Sequence, residues 1–285
     1  MRTIHDHGLG WHRDLPDMRD HTAATDTVSK VLAKSALFRK TRRTLAKSVD
    51  LREFCSPIED QGRLGSCTAQ AGVGMLEYFE RRAFGKHLDA SRLFLYKVTR
   101  QLLGLAGDDG AYLRDTMKAM VLFGVPPERY WPYDEPNFND EPSAFCYSFA
   151  QNFKTVDYYR LDPPNTPTST VLENIKTNLA ANLPAMFGFS VYSSIPPSGD
   201  GKGEIPYPST GDSLEGGHAV LAVGYDDNKK IGSKKGALLI RNSWGTEWGD
   251  RGYGWLPYAY VENGLADDFW TMVKSEFVDT DLFKG

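Results

Sequence analysis

The sequence has few cysteines and no long apolar run. Three cysteines in 285 residues are too few for a disulfide scaffold, and whether Cys55 and Cys146 pair stays open. The first thirty residues lack the apolar stretch of a secretory signal peptide, and no run reaches the roughly 18 apolar residues of a membrane span. We therefore expect no membrane partner and a cytoplasmic location by default, with export by a route without such a signal left open.

The composition is otherwise that of an ordinary globular protein, with 41% hydrophobic and 25% charged residues. We call residues 1–48 the head and the remainder the body. The net charge is −4, but the first fifty residues carry ten Lys or Arg against six Asp, and the rest carry 23 basic against 31 acidic residues. We expect this opposite charge to attract the head to the body. No nucleic-acid-binding motif accompanies the basic residues, so we expect no nucleic-acid partner.

The head shows no steady apolar periodicity. His5, His7 and His12 lack the cysteine or carboxylate that would complete a metal site, so we expect no metal and a solvated segment over residues 1–24. A short helix is expected within residues 26–48. A basic run without acidic residues follows, comprising Arg39, Lys40, Arg42, Arg43 and Lys47. Such a run is typical of a linker, and both a cleavage region and a merely solvated stretch remain open.

Apolar spacing predicts a mainly helical first part of the body and a mainly stranded second part. Helices are expected at about residues 67–82, 91–103, 112–123 and 170–181. Extended or strand segments are expected at about residues 49–61, 153–161, 185–192, 219–225, 236–241 and 252–257. A loop over residues 193–216, rich in Pro, Gly and Ser, should overhang a neighbouring surface. This order favours an α+β fold, divided into residues 49–150 and 151–285, with an antiparallel barrel or sheet in the second part.

Cys67 stands where a glycine-punctuated loop, QGRLGS (residues 61–66), meets the first turn of a predicted helix. A thiol there feels the positive end of the helix dipole and unpaired backbone N–H groups, which favour the thiolate. The side-chain amide of Gln61 could lie beside the backbone N–H of Cys67, which is an oxyanion hole in outline. Because a lone cysteine is more often an inert core residue, the assignment depends on the rest of the chain.

Two later motifs supply a base and an amide. His218 lies in GGHAVLAVGY (residues 216–225), at the start of an apolar strand, where a histidine is more often structural. Asn242 precedes two tryptophans in RNSWGTEWGDRGY (residues 241–253). An amide can fix the tautomer and orientation of an imidazole, as the third member of a catalytic triad does. A tryptophan beside that hydrogen bond would shield it from water.

The order Gln, Cys, His, Asn and the runs around these residues closely resemble the papain-like cysteine peptidases. The runs GSC, HAV and NSWGTEWG match, and the similarity covers about residues 49–275. The head run GWHRDLPD is similar to that of bacterial members with a short N-terminal segment. The resemblance implies a two-domain papain-like fold, with a helical left domain, an antiparallel β-barrel-like right domain and the active site in the cleft between them. It also implies a cysteine endopeptidase that needs no cofactor and passes through an acyl-enzyme.

Site residues follow from the resemblance position by position. It implies Cys67 as the nucleophile and His218 as its ion-pair partner and later proton donor. Asn242 would orient His218, and Gln61 would donate a hydrogen bond to the oxyanion. The implied substrate-binding residues are Gly65, Ser66, Gly110, Ala111, Tyr112, Gly217, Ala219 and Trp244.

Three positions depart from the pattern of many family members. Leu64 stands where many have a disulfide-bonded cysteine, so we expect a fold held without that bond. Thr68 replaces an aromatic residue, and Ala111 replaces a glycine, which should tighten a subsite. The pocket for the second residue before the cut should be lined by Tyr112 and Ala219, with a far wall from about residues 267–271. An acidic residue reaching into it would favour Arg or Lys, and otherwise an apolar side chain is expected.

The expected partners are polypeptide substrates and the head itself. The head would act as a regulatory, propeptide-like segment that packs on the body and obstructs the cleft, as in a zymogen, and whether it is cleaved stays open. Two other functions use the same sequence features: a papain-fold binding module whose cleft the head closes, and a transpeptidase with the same residues. We expect a monomer, and the natural substrate is left open.

Overall fold

The computed structural model describes residues 2–35, 38, 45–153 and 157–273. Helices in these residues are α1 (Asp26–Lys34), α2 (Cys67–Phe84), α3 (Arg92–Leu102), α4 (Leu113–Leu122), α5 (Ala144–Ala150), α6 (Thr168–Ala180) and α7 (Tyr258–Glu262). Short 3-10 turns span Arg52–Phe54, Glu128–Tyr130, Glu135–Asn137 and Gln151–Phe153. None of the described helices is both long and apolar enough to cross a bilayer.

The head and the helical part contain five short strands, namely β1 (Arg2–Ile4), β2 (His7–Leu9), β3 (Trp11–His12), β4 (Ser48–Asp50) and β5 (Ala111–Tyr112). The longer strands follow as β6 (Asp157–Arg160), β7 (Ala185–Tyr192), β8 (Leu214–Ile231), β9 (Lys234–Arg241), β10 (Tyr253–Pro257) and β11 (Ala266–Val273). One antiparallel sheet has the order β10-β9-β8-β7-β11-β6, and β4 also pairs with β8. Within the described residues this sheet is open, so the barrel-like domain is not a closed barrel.

Helix α2 joins the helical part to the sheet. It packs against α3 and α4 on one side and against β7 and β8 on the other. Its sequence begins CTAQAGVGM, and small residues let neighbours approach closely. A Cβ at Gly74 would lie 1.9 Å from the Arg241 guanidinium, and one at Gly72 would lie 3.2 Å from Met120 Sδ. The sequence therefore buries the first turns of α2, including Cys67, between the two parts.

The predicted elements are largely present, with shifted ends. Strand β7 has the predicted bounds, whereas β8 and β9 extend further because they continue as a two-stranded ribbon around Gly232, at φ +57°. Helices α5 and α7 and strand β11 were not expected. The expected extended segment at residues 49–61 contains β4 and a 3-10 turn. Four residues of the basic run, Arg39, Lys40, Arg42 and Arg43, lie outside the described residues.

The head differs most from expectation. Strands β1 and β2 form a hairpin turned by His5 and Asp6, both at positive φ, and Ile4 and Leu9 are buried. Strand β3 pairs in parallel with β5 of the body. The solvated segment predicted over residues 1–24 is therefore wrong for this hairpin and for β3, because their apolar side chains and backbone pack on the body. Cys55, Cys67 and Cys146 are all free thiols.

Candidate active site

Cys67 is the first residue of α2 and is fully buried. Backbone N–H groups of Ala219, Gly10 and Thr68 lie at its thiol and favour the thiolate. Burial outweighs them and raises the pKa of the thiol to about 11. With the head in place, Cys67 is therefore a protonated thiol at neutral pH.

His218 and Asn242 meet on adjacent segments of the sheet. His218 Nε2 lies 2.7 Å from Asn242 Oδ1, and the backbone N–H of Ser243 also donates to that oxygen at 2.8 Å. Because Oδ1 can only accept, Nε2 must donate, which leaves Nδ1 as the basic nitrogen. Nδ1 is buried and has no hydrogen-bond partner, and the Trp244 ring stacks on the imidazole with centroids 4.5 Å apart. Burial lowers the pKa of His218 to about 3, although the Asn242 hydrogen bond opposes this.

Gln61 is tied to the same group through Ser243. The Ser243 hydroxyl donates to Gln61 Oε1 at 2.7 Å, and the backbone N–H of Gln61 donates to the Ser243 carbonyl at 2.9 Å. This fixes the amide so that Nε2 donates to the carbonyls of Leu64, at 2.8 Å, and Gly8, at 3.0 Å. The donor expected for an oxyanion thus holds a carbonyl of the head.

The head crosses this site through residues 7–12, which we call the crossing segment. The Gly8 N–H donates to the Gly62 carbonyl at 3.0 Å, and the Ala111 N–H donates to the Gly10 carbonyl at 2.8 Å. Gly10 lies so close to Gly65 that a Cβ on it would be 2.0 Å from the Gly65 carbonyl oxygen. A side chain at position 10 cannot be accommodated without displacing the segment.

Aromatic side chains fix the crossing segment at both ends. His7 stacks on Trp244, with ring centroids 5.1 Å apart and planes within 5°. The Trp11 indole lies against Gly188 and Gly217, where Cβ atoms would overlap it or its backbone. Its Nε1–H donates to Asp268 Oδ2 at 3.2 Å. The indole therefore fills a pocket beside β5, β7 and β8.

Beyond the crossing segment, a second set of contacts holds the head. We call the buried ionic groups Asp14, Asp20, Arg114, Arg160, Asp162 and Asp268 the carboxylate cluster. The Arg114 guanidinium donates to both carboxylate oxygens of Asp20, at 2.8 and 2.6 Å. Asp14 accepts from Trp270 Nε1 at 2.9 Å, and its own N–H donates to Asp268 Oδ2 at 2.8 Å.

The body's half of the carboxylate cluster is centred on Arg160. Its guanidinium donates to Asp268 Oδ1 at 2.6 Å and to Asp162 Oδ1 at 2.9 Å. Burial, and then the neighbouring Asp268, raises the pKa of Asp14 to about 7. Burial likewise raises the pKa of Asp162 to about 7 against the pull of Arg160. Both shifts agree with the composition of the cluster, which holds four carboxylates against two guanidiniums.

The structure brings most of the predicted site residues together around the crossing segment. Those in or beside the cleft are Gln61, Gly65, Cys67, Gly110, Ala111, Tyr112, Gly217, His218, Ala219, Asn242 and Trp244. Ser66 differs, because its hydroxyl is bonded to Tyr133 Oη at 2.7 Å instead. Sequence reasoning missed Ser243, although its position next to Asn242 was a signal. Asp268 lies within the predicted far wall of the pocket, at about residues 267–271, and its carboxylate accepts from the Trp11 indole.

The sequence of residues 45–270 matches the family model of the papain family of cysteine proteases, and the chain belongs to that family. The fold is the two-domain papain-like α+β fold, and the chain is a hydrolase of the cysteine protease class. The family resemblance of the sequence is thereby confirmed.

Particular relatives refine this assignment. The structure is similar to xylellain, a cysteine protease from Xylella fastidiosa, with 36% identity, a TM-score of 0.76 and coverage of 96% of this chain and 98% of that one. An uncharacterized peptidase C1-like protein of Acanthamoeba polyphaga mimivirus, L477, is 37% identical over 79% of this chain and 72% of its own. Cathepsin K of Gallus gallus is 31% identical over 72% of this chain and 57% of its own.

Proposed function

We propose that this chain is a papain-like cysteine endopeptidase in which Cys67, His218, Asn242 and Gln61 carry the reaction and the head holds the enzyme latent. The observation that carries the proposal is the 2.7 Å contact between His218 Nε2 and Asn242 Oδ1. It leaves Nδ1 without a partner on the strand that also brings the Ala219 N–H to the Cys67 thiol. A base, its orienting amide and a nucleophile are the three parts that acyl transfer needs.

The proposed steps begin with proton transfer from Cys67 Sγ to His218 Nδ1. The thiolate attacks the peptide carbonyl carbon, and the developing oxyanion accepts hydrogen bonds from Gln61 Nε2 and the backbone N–H of Cys67. Imidazolium Nδ1–H protonates the leaving amine, which departs and leaves the acyl-enzyme. A water molecule then attacks the thioester, giving up a proton to His218, and the free acid and the thiol are restored.

Latency rests on three contacts of the crossing segment. The Gly8 carbonyl accepts the hydrogen bond from Gln61 Nε2 that the oxyanion would otherwise accept. Gly10 covers the Cys67 thiol, and the Trp11 indole fills the neighbouring pocket. Burial also disfavours the ion pair, because it raises the pKa of Cys67 and lowers that of His218. Displacing the segment would let water in and favour the thiolate–imidazolium pair.

An epoxide inhibitor of thiol proteases tests the chemistry. We expect it to label a variant with a displaced head at one thiol, and the latent wild type much more slowly, and to abolish cleavage of a fluorogenic peptide in proportion. Cys67→Ala should lose labelling and about 10⁶-fold in kcat, because the nucleophile is gone. Cys146→Ala, which removes another buried thiol, serves as the matched control and should keep both.

The opposite result favours another function. If neither the wild type nor a variant with a displaced head is labelled or turns over any peptide, the endopeptidase proposal fails. The closed cleft would then favour a binding module.

Gly10→Ala tests latency in the full-length chain. Its methyl group would overlap the Gly65 carbonyl, so the crossing segment must leave the cleft. We expect kcat/KM for the fluorogenic peptide to rise about 10- to 100-fold. Met18→Ala is the control elsewhere in the head, because Met18 is 84% exposed. Equal activity of wild type, Gly10→Ala and Met18→Ala would contradict latency and leave the catalytic proposal standing.

A further inference from the structure

Two backbone segments of the body meet the crossing segment at Gly10, and we call them the backbone walls. One wall is Gly65 and the other is Gly110 with Ala111. A Cβ on Gly10 would lie 2.0 Å from the Gly65 carbonyl oxygen, and a Cβ on Gly110 would lie 2.2 Å from the Gly10 carbonyl oxygen. The Ala111 N–H donates to that same carbonyl at 2.8 Å. The spacing of the two walls therefore decides how well a main chain fits and is hydrogen-bonded there.

One carboxylate and one phenol join the two walls. The Gly65 N–H donates to Asp108 Oδ1 at 3.0 Å. The Tyr96 hydroxyl donates to the same oxygen at 2.5 Å and accepts from the Gly110 N–H at 3.1 Å. Burial, and then the Asp108 charge, raises the pKa of Tyr96, so the phenol keeps its proton and donates to the carboxylate. Three hydrogen bonds thus run from one wall to the other, and we call Asp108 and Tyr96 the bridging pair.

Helix α3 gives the bridging pair a rigid support. Tyr96 is a fully buried residue of this helix, and the Arg100 guanidinium lies 4.4 Å from the centroid of its ring. The same guanidinium donates to the carbonyls of Gly107, at 2.7 Å, and Phe138, at 2.5 Å. These contacts fix the turn before β5 against α3. The phenol oxygen is therefore a fixed point from which both walls are held.

The bridging pair ties down a loop that lacks a covalent tie. Leu64 stands where many family members have a disulfide-bonded cysteine, and the three cysteines of this chain are all free. The next residue, Gly65, is instead bonded through its N–H to Asp108. A hydrogen bond to a charged acceptor is stronger than one between neutral groups. The carboxylate thus supplies a link at the place where the covalent one is missing.

The oxyanion donors of the same loop are held by other residues. The Tyr133 hydroxyl donates to the Gln61 carbonyl at 2.8 Å and is bonded to the Ser66 hydroxyl at 2.7 Å. The Gln61 amide is fixed by Ser243 at 2.7 Å. These contacts tie the loop through Tyr133 and Ser243 rather than through the bridging pair. Loss of the bridging pair should therefore loosen the backbone walls and leave the oxyanion donors in place.

We propose that Asp108 and Tyr96 are positioning residues, which space the two backbone walls for the main chain of the substrate without touching the reacting atoms. The inference rests on the proposed endopeptidase function and adds to it the residues that set the strength of main-chain binding. In the latent state the same walls bind Gly10, so the bridging pair serves the head and the substrate in turn.

The test uses the full-length chain with Gly10→Ala, which displaces the head, and measures kcat and KM for the fluorogenic peptide. Asp108→Ala should raise KM about tenfold, because Gly65 loses a charged acceptor, and should change kcat less than about twofold. Asp108→Asn keeps an acceptor and should restore most of the affinity. Asp109→Asn is the matched control. It removes the same charge from an exposed side chain that accepts from Gly107 instead, so KM should stay unchanged.

Tyr96→Phe tests the second half of the bridge. It removes the hydroxyl that joins Gly110 to Asp108 and leaves the Gly65 bond in place, so we expect KM to rise about threefold. Combined with Asp108→Ala it should add little, because both changes break the same chain of hydrogen bonds. Tyr78→Phe is the matched control, since Tyr78 is a buried tyrosine whose hydroxyl donates to the Asn182 carbonyl at 3.2 Å. It should leave KM unchanged.

Alkylation by iodoacetamide separates positioning from a merely structural role. The reagent is too small to use the backbone walls, so its rate reports the Cys67 thiol alone, followed by mass spectrometry of the Cys67 peptide. We expect Asp108→Ala and Tyr96→Phe to be alkylated at the rate of the Gly10→Ala parent. A fall in that rate together with kcat would show that the substitutions disturb the whole site, and the positioning role would be wrong.

The remaining outcomes distinguish this inference from the proposed function. A KM within about twofold of the parent in both Asp108→Ala and Tyr96→Phe, with ready turnover, overturns the positioning role and leaves the endopeptidase intact. Tyr96→Phe alone decides the matter if Asp108→Ala fails to fold. No turnover and no alkylation of the Gly10→Ala parent would instead overturn the proposed function and this inference with it.

Discussion

The crossing segment and the carboxylate cluster hold the same head by different physics. The crossing segment uses backbone hydrogen bonds, a glycine packed on a glycine and two aromatic rings, with the indole of Trp11 in a pocket. The carboxylate cluster uses buried charges, with Asp14 and Asp20 set against Arg114 and Arg160. The first set of contacts fits the crossing segment to the site by shape, and the second holds the head to the body by charge.

Charge arithmetic makes the second region sensitive to pH. In the body, Arg114 and Arg160 balance Asp162 and Asp268, so this part of the cluster is neutral on its own. The head adds two carboxylates and no guanidinium to it. Burying extra like charges favours taking up a proton on docking, in line with the raised pKa of Asp14.

Proton uptake gives the largest effect that distinguishes the two regions. Docking raises the pKa of Asp14 from its ordinary value to about 7, through burial first and then Asp268, against Trp270, Arg114 and Arg160. A raised pKa stabilises the docked state fully below the ordinary pKa and loses that contribution as pH rises towards 7. We expect latency to weaken by up to about tenfold per pH unit between pH 5 and 7.

Asp14→Asn should remove this dependence, because asparagine cannot ionise. The measurement is the ratio of wild-type to Gly10→Ala activity at each pH, in which the titration of Cys67 and His218 in the open, active form cancels. The same ratio for Asp14→Asn should stay flat and low up to pH 8. A wild-type ratio that falls as pH rises would show the opposite linkage, and the cluster would then not be the proton-sensitive fastening.

The same contrast explains what sequence could predict. Cys67, His218 and Asn242 each lie in a local pattern, at a helix start, a strand start or beside paired tryptophans. Short-range rules therefore made them candidates, and the family resemblance supplied their predicted roles. Strand β7 has its predicted bounds for the same reason, since its buried apolar run is bounded by turn residues.

The contacts of the head with the body could not be predicted from short-range patterns. Trp11 finds its partners at Gly188, Gly217 and Asp268, which are 177 or more positions away in the chain, and no periodicity in the head encodes them. Strand β11 was missed because Asp268 at positive φ interrupts its alternation. Opposite charge did point to attraction between head and body, but the cluster reverses the expected signs: the head contributes carboxylates and the body contributes the guanidiniums.

Substitution of Arg13, which lies next to Asp14 but outside the carboxylate cluster, has the smallest expected effect. Its guanidinium lies 2.9 Å from Asp267, yet its side chain is 64% exposed, so solvent screens the pair. We expect Arg13→Ala to raise wild-type activity at pH 6 by at most about threefold, and less at high salt, since an exposed pair contributes roughly 0.2–1 kcal/mol. Arg19→Ala, which removes an exposed pair within the head, is the control and should change nothing. A rise with Arg13→Ala as large as that with Gly10→Ala would mean that the exposed Arg13–Asp267 pair retains the head, rather than the buried carboxylates and the crossing segment.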